Sequence, residues 1–211
     1  MDFSEKLNTL NMSCSGFYLS SGYTSIGDLR CVFNWNYDKF PNPARFIERF
    51  NSEKIHLIPN IKPAFLTSHP MYNEIAEKGL FVKNEDSTPF VTEFWDGMGS
   101  YIDFTLPEGF KFWHDNVAAK LLDYGIDATW NDNNEFDIKD TDAVANGFKD
   151  GSVKASRIRP ILTYLMVASS YSAQNRKNIR AKRPFLSTRS GSSAVRRLAN
   201  HLVGRQFYII S

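Results

Sequence analysis

The succession of short apolar runs and amphipathic stretches constrains this chain more than any other feature. Gly16-Phe17-Tyr18-Leu19-Ser20 is a brief apolar run bounded by Gly and Ser, and it reads as a strand. Pro43 to Glu53 carries Phe46, Ile47 and Phe50 at helical spacing. Ile55 to Ile61 is a second strand, with Pro59 expected near its end because proline cannot donate a ladder hydrogen bond. Pro70 to Lys78 reads as a short helix stopped by Gly79. Thr105-Leu106-Pro107-Glu108 has the capping-box pattern, and the helix behind it aligns Phe110, Trp113, Val117 and Leu121 before stopping at Gly125. Ile126 to Asn131 and Arg183 to Thr188 are the third and fourth strands, while Ile158 to Asn178 and Ser192 to Val203 are helices. Lys139 to Ser156 is rich in Asp, Gly, Lys and Ser and reads as a surface loop. Alternation of this kind implies parallel strands joined by helical crossovers. Four such units fit either a doubly wound sheet or about half of a (β/α)8 barrel, which needs eight units. No Gly-x-Gly-x-x-Gly turn follows a strand, so nothing favours a dinucleotide fold.

Composition narrows the function classes. The chain has 211 residues, 42% hydrophobic and 23% charged, as in ordinary globular proteins. Its longest mostly apolar stretch, Ile161 to Ala173, is too short to span a bilayer, and the first residues lack the basic and apolar regions of a signal peptide. A cytoplasmic location and no membrane partner are the expectations. Cys14 and Cys31 are the only cysteines, and His56, His69, His114 and His201 are scattered, so neither a disulfide framework nor a metal site is expected. Charge is lopsided. Residues 1 to 150 hold 23 acids and 13 bases, a net of 13 − 23 = −10, whereas residues 151 to 211 hold 12 bases and no acid. Such a segment could bind nucleic acid. Its core-like runs, Ile161 to Val167 and Pro184-Phe185-Leu186, argue for a folded half whose charges are balanced elsewhere.

The densest polar cluster is Trp130-Asn131-Asp132-Asn133-Asn134-Glu135, at the C-terminal end of the third strand, where β/α barrels place their active sites. Side-chain alternation puts Ile126, Ala128, Trp130 and Asp132 on one face. A carboxylate there could attack an anomeric carbon or act as a general base. An Asn/Asp-rich solvated turn would leave the same pattern.

This cluster is similar to the W-x-D-M-N-E nucleophile signature of glycoside hydrolase family 31. Arg183-Pro184-Phe185-Leu186-Ser187-Thr188-Arg189-Ser190 resembles that family's R-P-F-x-L-S-R-S strand, and Ile58-Pro59-Asn60-Ile61 its I-P-x-I strand. Phe33-Asn34-Trp35-Asn36 with Phe40-Pro41, and Phe94-Trp95-Asp96-Gly97 with Asp103-Phe104-Thr105, resemble further segments in the same order. The resemblance implies a partial TIM barrel over residues 1–211 and a retaining, cofactor-free α-glycosidase acting on α-linked glucosides or related saccharides. It implies Asp132 as the nucleophile. Trp95 and Trp130 would line the sugar pocket, Arg189 would bond sugar hydroxyls, and Glu135 would orient its neighbours. Core packing for the tryptophans and a purely stabilising ion pair for Arg189 are the competing structural roles.

Three positions depart from the family pattern. Retaining glycosidases use two carboxylates about 5–5.5 Å apart. The family's second is the Asp of a G-D-N motif, and here that place reads Gly204-Arg205-Gln206. Arginine cannot serve as a general acid near neutrality. The family's acidic D-x-D-Y stretch reads Ser20-Ser21-Gly22-Tyr23, and Asn133 replaces its methionine. A truncated form of an active glycosidase is the first expectation, with self-association through open barrel edges. The alternatives are a non-catalytic remnant that binds carbohydrate or a partner, and a basic module acting through residues 154 to 205.

Overall fold

The computed structural model describes residues 3–139, 143–177 and 183–201. In chain order these form α1 (Phe3–Thr9), β1 (Gly16–Leu19), β2 (Ser25–Ile26), β3 (Leu29–Arg30), α2 (Pro43–Ser52), β4 (His56–Ile61), β5 (Ala64–Leu66), α3 (Tyr72–Glu77), β6 (Thr92–Phe94), β7 (Gly97–Tyr101) and α4 (Pro107–Lys120). There follow β8 (Ala128–Asn131), β9 (Val144–Phe148), β10 (Gly151–Lys154), α5 (Arg159–Lys177), β11 (Phe185–Thr188) and β12 (Asn200–His201). The principal sheet runs β1-β4-β8-β11-β12, with all neighbours parallel. It therefore has five strands where the sequence suggests four.

Alternation sorts its two faces. Leu57, Ile61, Thr129, Asn131, Leu186 and Thr188 point outward and are buried. Helix α5 covers those of β8 and β11, and its Gln174 and Ser170 donate to the side chains of Thr129 (2.9 Å) and Asn131 (3.2 Å). Tyr18, Asn60, Trp130 and Ser187 belong to the other, inner face. The Tyr18 and Ser187 hydroxyls lie 2.9 Å apart, although β4 and β8 intervene between their strands. In a flat sheet those strands would stand about 14 Å apart, too far for side chains rising off one face to meet. The sheet therefore curls inward as a barrel wall does, and the doubly wound alternative is set aside.

The crossovers carry the excursions. Between β4 and β8 an antiparallel sheet, β5-β7-β6, precedes α4. Aromatic side chains fill the layer between α4 and its surroundings: Trp113 meets Phe33 (4.7 Å between ring centres) and Phe104 (5.3 Å), and its indole N–H donates to Ser170 Oγ at 2.8 Å. Pro59 lies inside β4, at the step where its pairing passes from β1 to β8, so the missing N–H falls at the handover.

Three sequence expectations change. The 139–156 stretch is not all loop, because β9 and β10 form a hairpin whose Lys149-Asp150 turn is followed by Gly151 at φ 110°. Its Val144 and Ala145 reach the core. Gly147 lies so close to the Thr105 carbonyl that a Cβ would strike it, and its N–H donates to Thr105 Oγ1 at 2.9 Å. The capping box does not form, because Leu106 is the N-cap and the Thr105 hydroxyl donates to Asp103 instead, at 2.5 Å. In place of a helix over 192–203, Ser193–Arg197 makes one 3₁₀ stretch and Asn200–His201 joins the sheet. A single turn suffices to bury Val195 against Val167 and Leu186, and the chain then pairs with β11. Leu202 and Val203 lie outside the described residues.

Candidate active site

The register of the sheet sets Asn60, Trp130 and Ser187 side by side. Two residues further along each chain, past the strand ends, come Lys62, Asp132 and Arg189, again facing inward. Backbone bonds from Asp132 N to Ile61 O and from Arg189 N to Asn131 O, both 2.9 Å, carry the ladder up to that level. A cation, a carboxylate and a second cation thus stand in a row at the C-terminal mouth of the sheet.

Asp132 is 6% exposed. Its Oδ2 accepts from Lys62 Nζ at 2.7 Å and from Asn60 Nδ2 at 2.8 Å. Its Oδ1 meets Arg189 Nη1 at 3.4 Å. Burial would push this carboxyl up, but it is outweighed by the Lys62 charge and by hydrogen bonds from Lys62, Asn60 and the Asn133 backbone. Asp132 is therefore held below the ordinary carboxylate range and stays ionised at neutral pH. Burial pulls Lys62 down, against the opposing pull of Asp132. The Lys62 ammonium also reaches Asn133 Oδ1 and lies 4.5 Å from the centre of the Trp95 ring. Such a cation over an indole face is attractive.

Each further side chain has a structural reason for its position. Trp95 and Asp96 form the two-residue turn between β6 and β7, closed by Gly97 at φ 137°. Asp96 is clamped by the backbone N–H of Arg30 at 2.8 Å and by its guanidinium, and that ion pair fixes the turn over Lys62. Trp130 projects from the inner face of β8 and meets Tyr18 edge to face at 5.8 Å. Glu135 Oε1 pairs with Arg189 Nε at 2.9 Å, so one guanidinium spans Asp132 and Glu135. Asn134 ties the Asp132 loop to the Arg189 loop, donating to Thr188 Oγ1 at 2.8 Å and accepting from Ser190 N at 3.0 Å. Asn133, where the resembling motif has methionine, adopts φ 49°, a conformation asparagine tolerates.

The structure therefore gathers Asp132, Trp95, Trp130, Arg189 and Glu135 into one mouth. Lys62 and the side-chain role of Asn60 are additions that sequence reading missed. The signal was available: the alternation that placed Asp132 on the inner face, applied to Ile58 and Asn60, places Lys62 there too. Ser21, in the segment that stands where the family has D-x-D-Y, and Thr24 just after it line a small recess beside Lys62 and Trp95. Gly204-Arg205-Gln206 lies outside the described residues. A larger concavity, lined by Gly16, His56, Ile58, Asp127, Arg183 and Phe185, opens at the opposite end of the sheet, away from these charges. Among the described residues no three His, Cys, Asp or Glu side chains are grouped to hold a metal, and no helix is long and apolar enough to cross a membrane.

A family model described as the glycosyl hydrolases family 31 TIM-barrel domain matches residues 1–206. The chain belongs to glycoside hydrolase family 31. Alpha-glucosidase 2 of Bacillus thermoamyloliquefaciens is 28% identical over 175 residues, covering 80% of this chain and 22% of that protein. Neutral alpha-glucosidase C of Homo sapiens is 29% identical over 168 residues, covering 75% and 18%. The family 31 domain described here thus spans about a fifth of the length of these relatives. Among solved structures, the GH31 dextranase of Flavobacterium johnsoniae complexed with glucose superposes with a TM-score of 0.81 at 19% identity, over 95% of this chain and 25% of that one. A GH31 sulfoquinovosidase from E. rectale gives 0.78 at 20% identity, over 93% and 29%. At these identities the superpositions establish the barrel fold.

Proposed function

We propose that this domain supplies the nucleophile half of a retaining α-glycosidase site, with Asp132 attacking the anomeric carbon of an α-linked glucoside or related saccharide. The observation that carries this reading is an inward-facing carboxylate at the barrel mouth, kept ionised by Lys62, Asn60 and the Asn133 backbone and faced by Arg189. The surroundings suit a sugar. Trp95 and Trp130 offer aromatic faces, and their indole N–H groups, together with Asn60 Oδ1, are buried without a protein hydrogen-bond partner. Buried polar atoms of that kind are costly unless satisfied, and a polyhydroxylated ligand brings both donors and acceptors.

In the first step a bond forms between an Asp132 oxygen and C1 while the glycosidic C1–O bond breaks. The departing oxygen needs a proton. With Arg205 in the family's acid position, that proton must come from another group or from water. The test avoids this step by using a leaving group that needs no proton. The protein is incubated with 5-fluoro-α-D-glucosyl fluoride, and its intact mass and peptide map are read. The expected result is a gain of one fluoroglucosyl unit on the peptide holding Asp132, abolished in Asp132→Asn. A protein that stays unlabelled while saccharides still quench its tryptophan fluorescence is a carbohydrate-binding module, the reading that Arg205 favours.

A further inference from the structure

The two oxygens of Asp132 are not equivalent. Oδ2 accepts from Lys62 at 2.7 Å and from Asn60 at 2.8 Å, which occupies it fully. Among the described residues, the side-chain hydrogen bond to Oδ1 is a long one, 3.4 Å from Arg189, and beyond these side chains the carboxylate meets the Asn133 backbone N–H. A carboxylate attacks through the oxygen whose lone pair is least engaged. Resting on the reading of Asp132 as nucleophile, we infer that Oδ1 is the attacking atom and that Lys62 is a positioning residue, which holds Oδ2 and sets the charge balance of both chemical steps.

The balance follows from the bonds. When Oδ1 bonds to C1, fluoride or the sugar's leaving oxygen departs with the electron pair of the broken bond. Oδ2 becomes the neutral carbonyl oxygen of an ester, and Lys62 loses its anionic partner. Its ammonium does not become stranded, because it already donates to Asn133 Oδ1 and lies over the Trp95 ring. In the second step water bonds to C1, the C1–Oδ1 bond breaks, and its electron pair returns to Asp132. The water proton passes to solvent. Asp132 is then the leaving group, and Lys62 stabilises the carboxylate that reappears. Asn60 fixes the geometry while Lys62 supplies the charge, so a neutral residue at position 62 should impair release of the sugar and also make the free carboxyl easier to protonate.

Lys62→Met and Lys62→Arg are compared with the unchanged protein, using 5-fluoro-α-D-glucosyl fluoride and intact-mass kinetics across pH. In Lys62→Met the acidic limb of the labelling rate should move to higher pH. Release of the label should slow by about a hundredfold, the scale on which one preorganised electrostatic partner counts. Lys62→Arg should recover most of the release rate. In the trapped adduct, the ester carbonyl oxygen should be the one held by Asn60. If circular dichroism shows that Lys62→Met fails to fold, Lys62→Gln carries the same comparison. Wild-type pH limb and wild-type release in the neutral variant would overturn the role of Lys62 while leaving Asp132 as nucleophile. Label on any residue other than Asp132, or none on the unchanged protein, would overturn both readings.

Discussion

Trp113 in α4 and Asp132 beyond β8 are both shielded from water, but burial acts on them in opposite ways. Trp113 is stable because it is buried: its ring is packed among Phe33 and Phe104, and one hydrogen bond to Ser170 satisfies its only polar atom. Apolar area removed from water is favourable whatever surrounds it, provided the packing is tight. Asp132 would be unstable because it is buried, were Lys62, Asn60 and the Asn133 backbone not arranged around it. The aromatic layer therefore tolerates exchange of one apolar shape for another, whereas the charged groups of the mouth depend on one another.

Asp132→Asn gives the largest separation between them. It should eliminate covalent labelling altogether while circular dichroism still reports a folded chain, at a cost in stability because Lys62 is left without its anionic partner. Labelling that survives would mean that the nucleophile is another group. Trp113→Ala should do the reverse, costing about 3–5 kcal/mol by chemical denaturation as a large buried aromatic is lost. Where the variant remains folded, the pH dependence of labelling should be unchanged. Ser170→Ala probes the joint between the two regions, since Ser170 accepts from Trp113 and donates to Asn131, the residue before Asp132. It leaves a buried indole N–H unpaired and should cost about 1–3 kcal/mol, with a measurable fall in labelling rate. An unchanged rate would show the regions to be uncoupled. The smallest effect is confined to acid. Asp132 sits below its ordinary value in the folded protein, so its contribution is full above the unfolded value and is lost as pH falls through the folded one. The stability gap between the protein and Asp132→Asn should therefore narrow from pH 6 toward pH 3. A gap that stays constant would show that Asp132 gains nothing from its partners.

The aromatic layer was largely legible in the sequence, because Phe110, Trp113, Val117 and Leu121 repeat at helical spacing and three of them are buried as that spacing implies. The inward direction of Asp132 was legible from the alternation of Ile126, Ala128 and Trp130 before it, while its reading as a nucleophile came from the resemblance of 130–135 to the family signature. Lys62 was legible by the same alternation but was passed over, since the strand reading stopped at Ile61. The 144–154 hairpin was hidden by its polar composition, although Asp150-Gly151 is a turn signal. At 192–201 the spacing of Val195 and Leu198 suits a helix, but pairing of Asn200 and His201 with β11 took precedence. Local propensity is weak where a sheet edge offers backbone partners. The four long strands of the parallel sheet were read in order, whereas the antiparallel β5-β7-β6 sheet was not, and the fifth strand was missed because it is only two residues long.

The bond between the Tyr18 and Ser187 hydroxyls was described above as a sign of curvature. It also divides the space inside the curl. The tyrosine ring reaches across the inner face with the Trp130 indole against it. The charged groups stand above this bar, and the wide concavity lined by Gly16, Ile58 and Phe185 lies below it. The two sets of groups thus face opposite ends of the sheet, with the Tyr18 ring and the Trp130 indole between them.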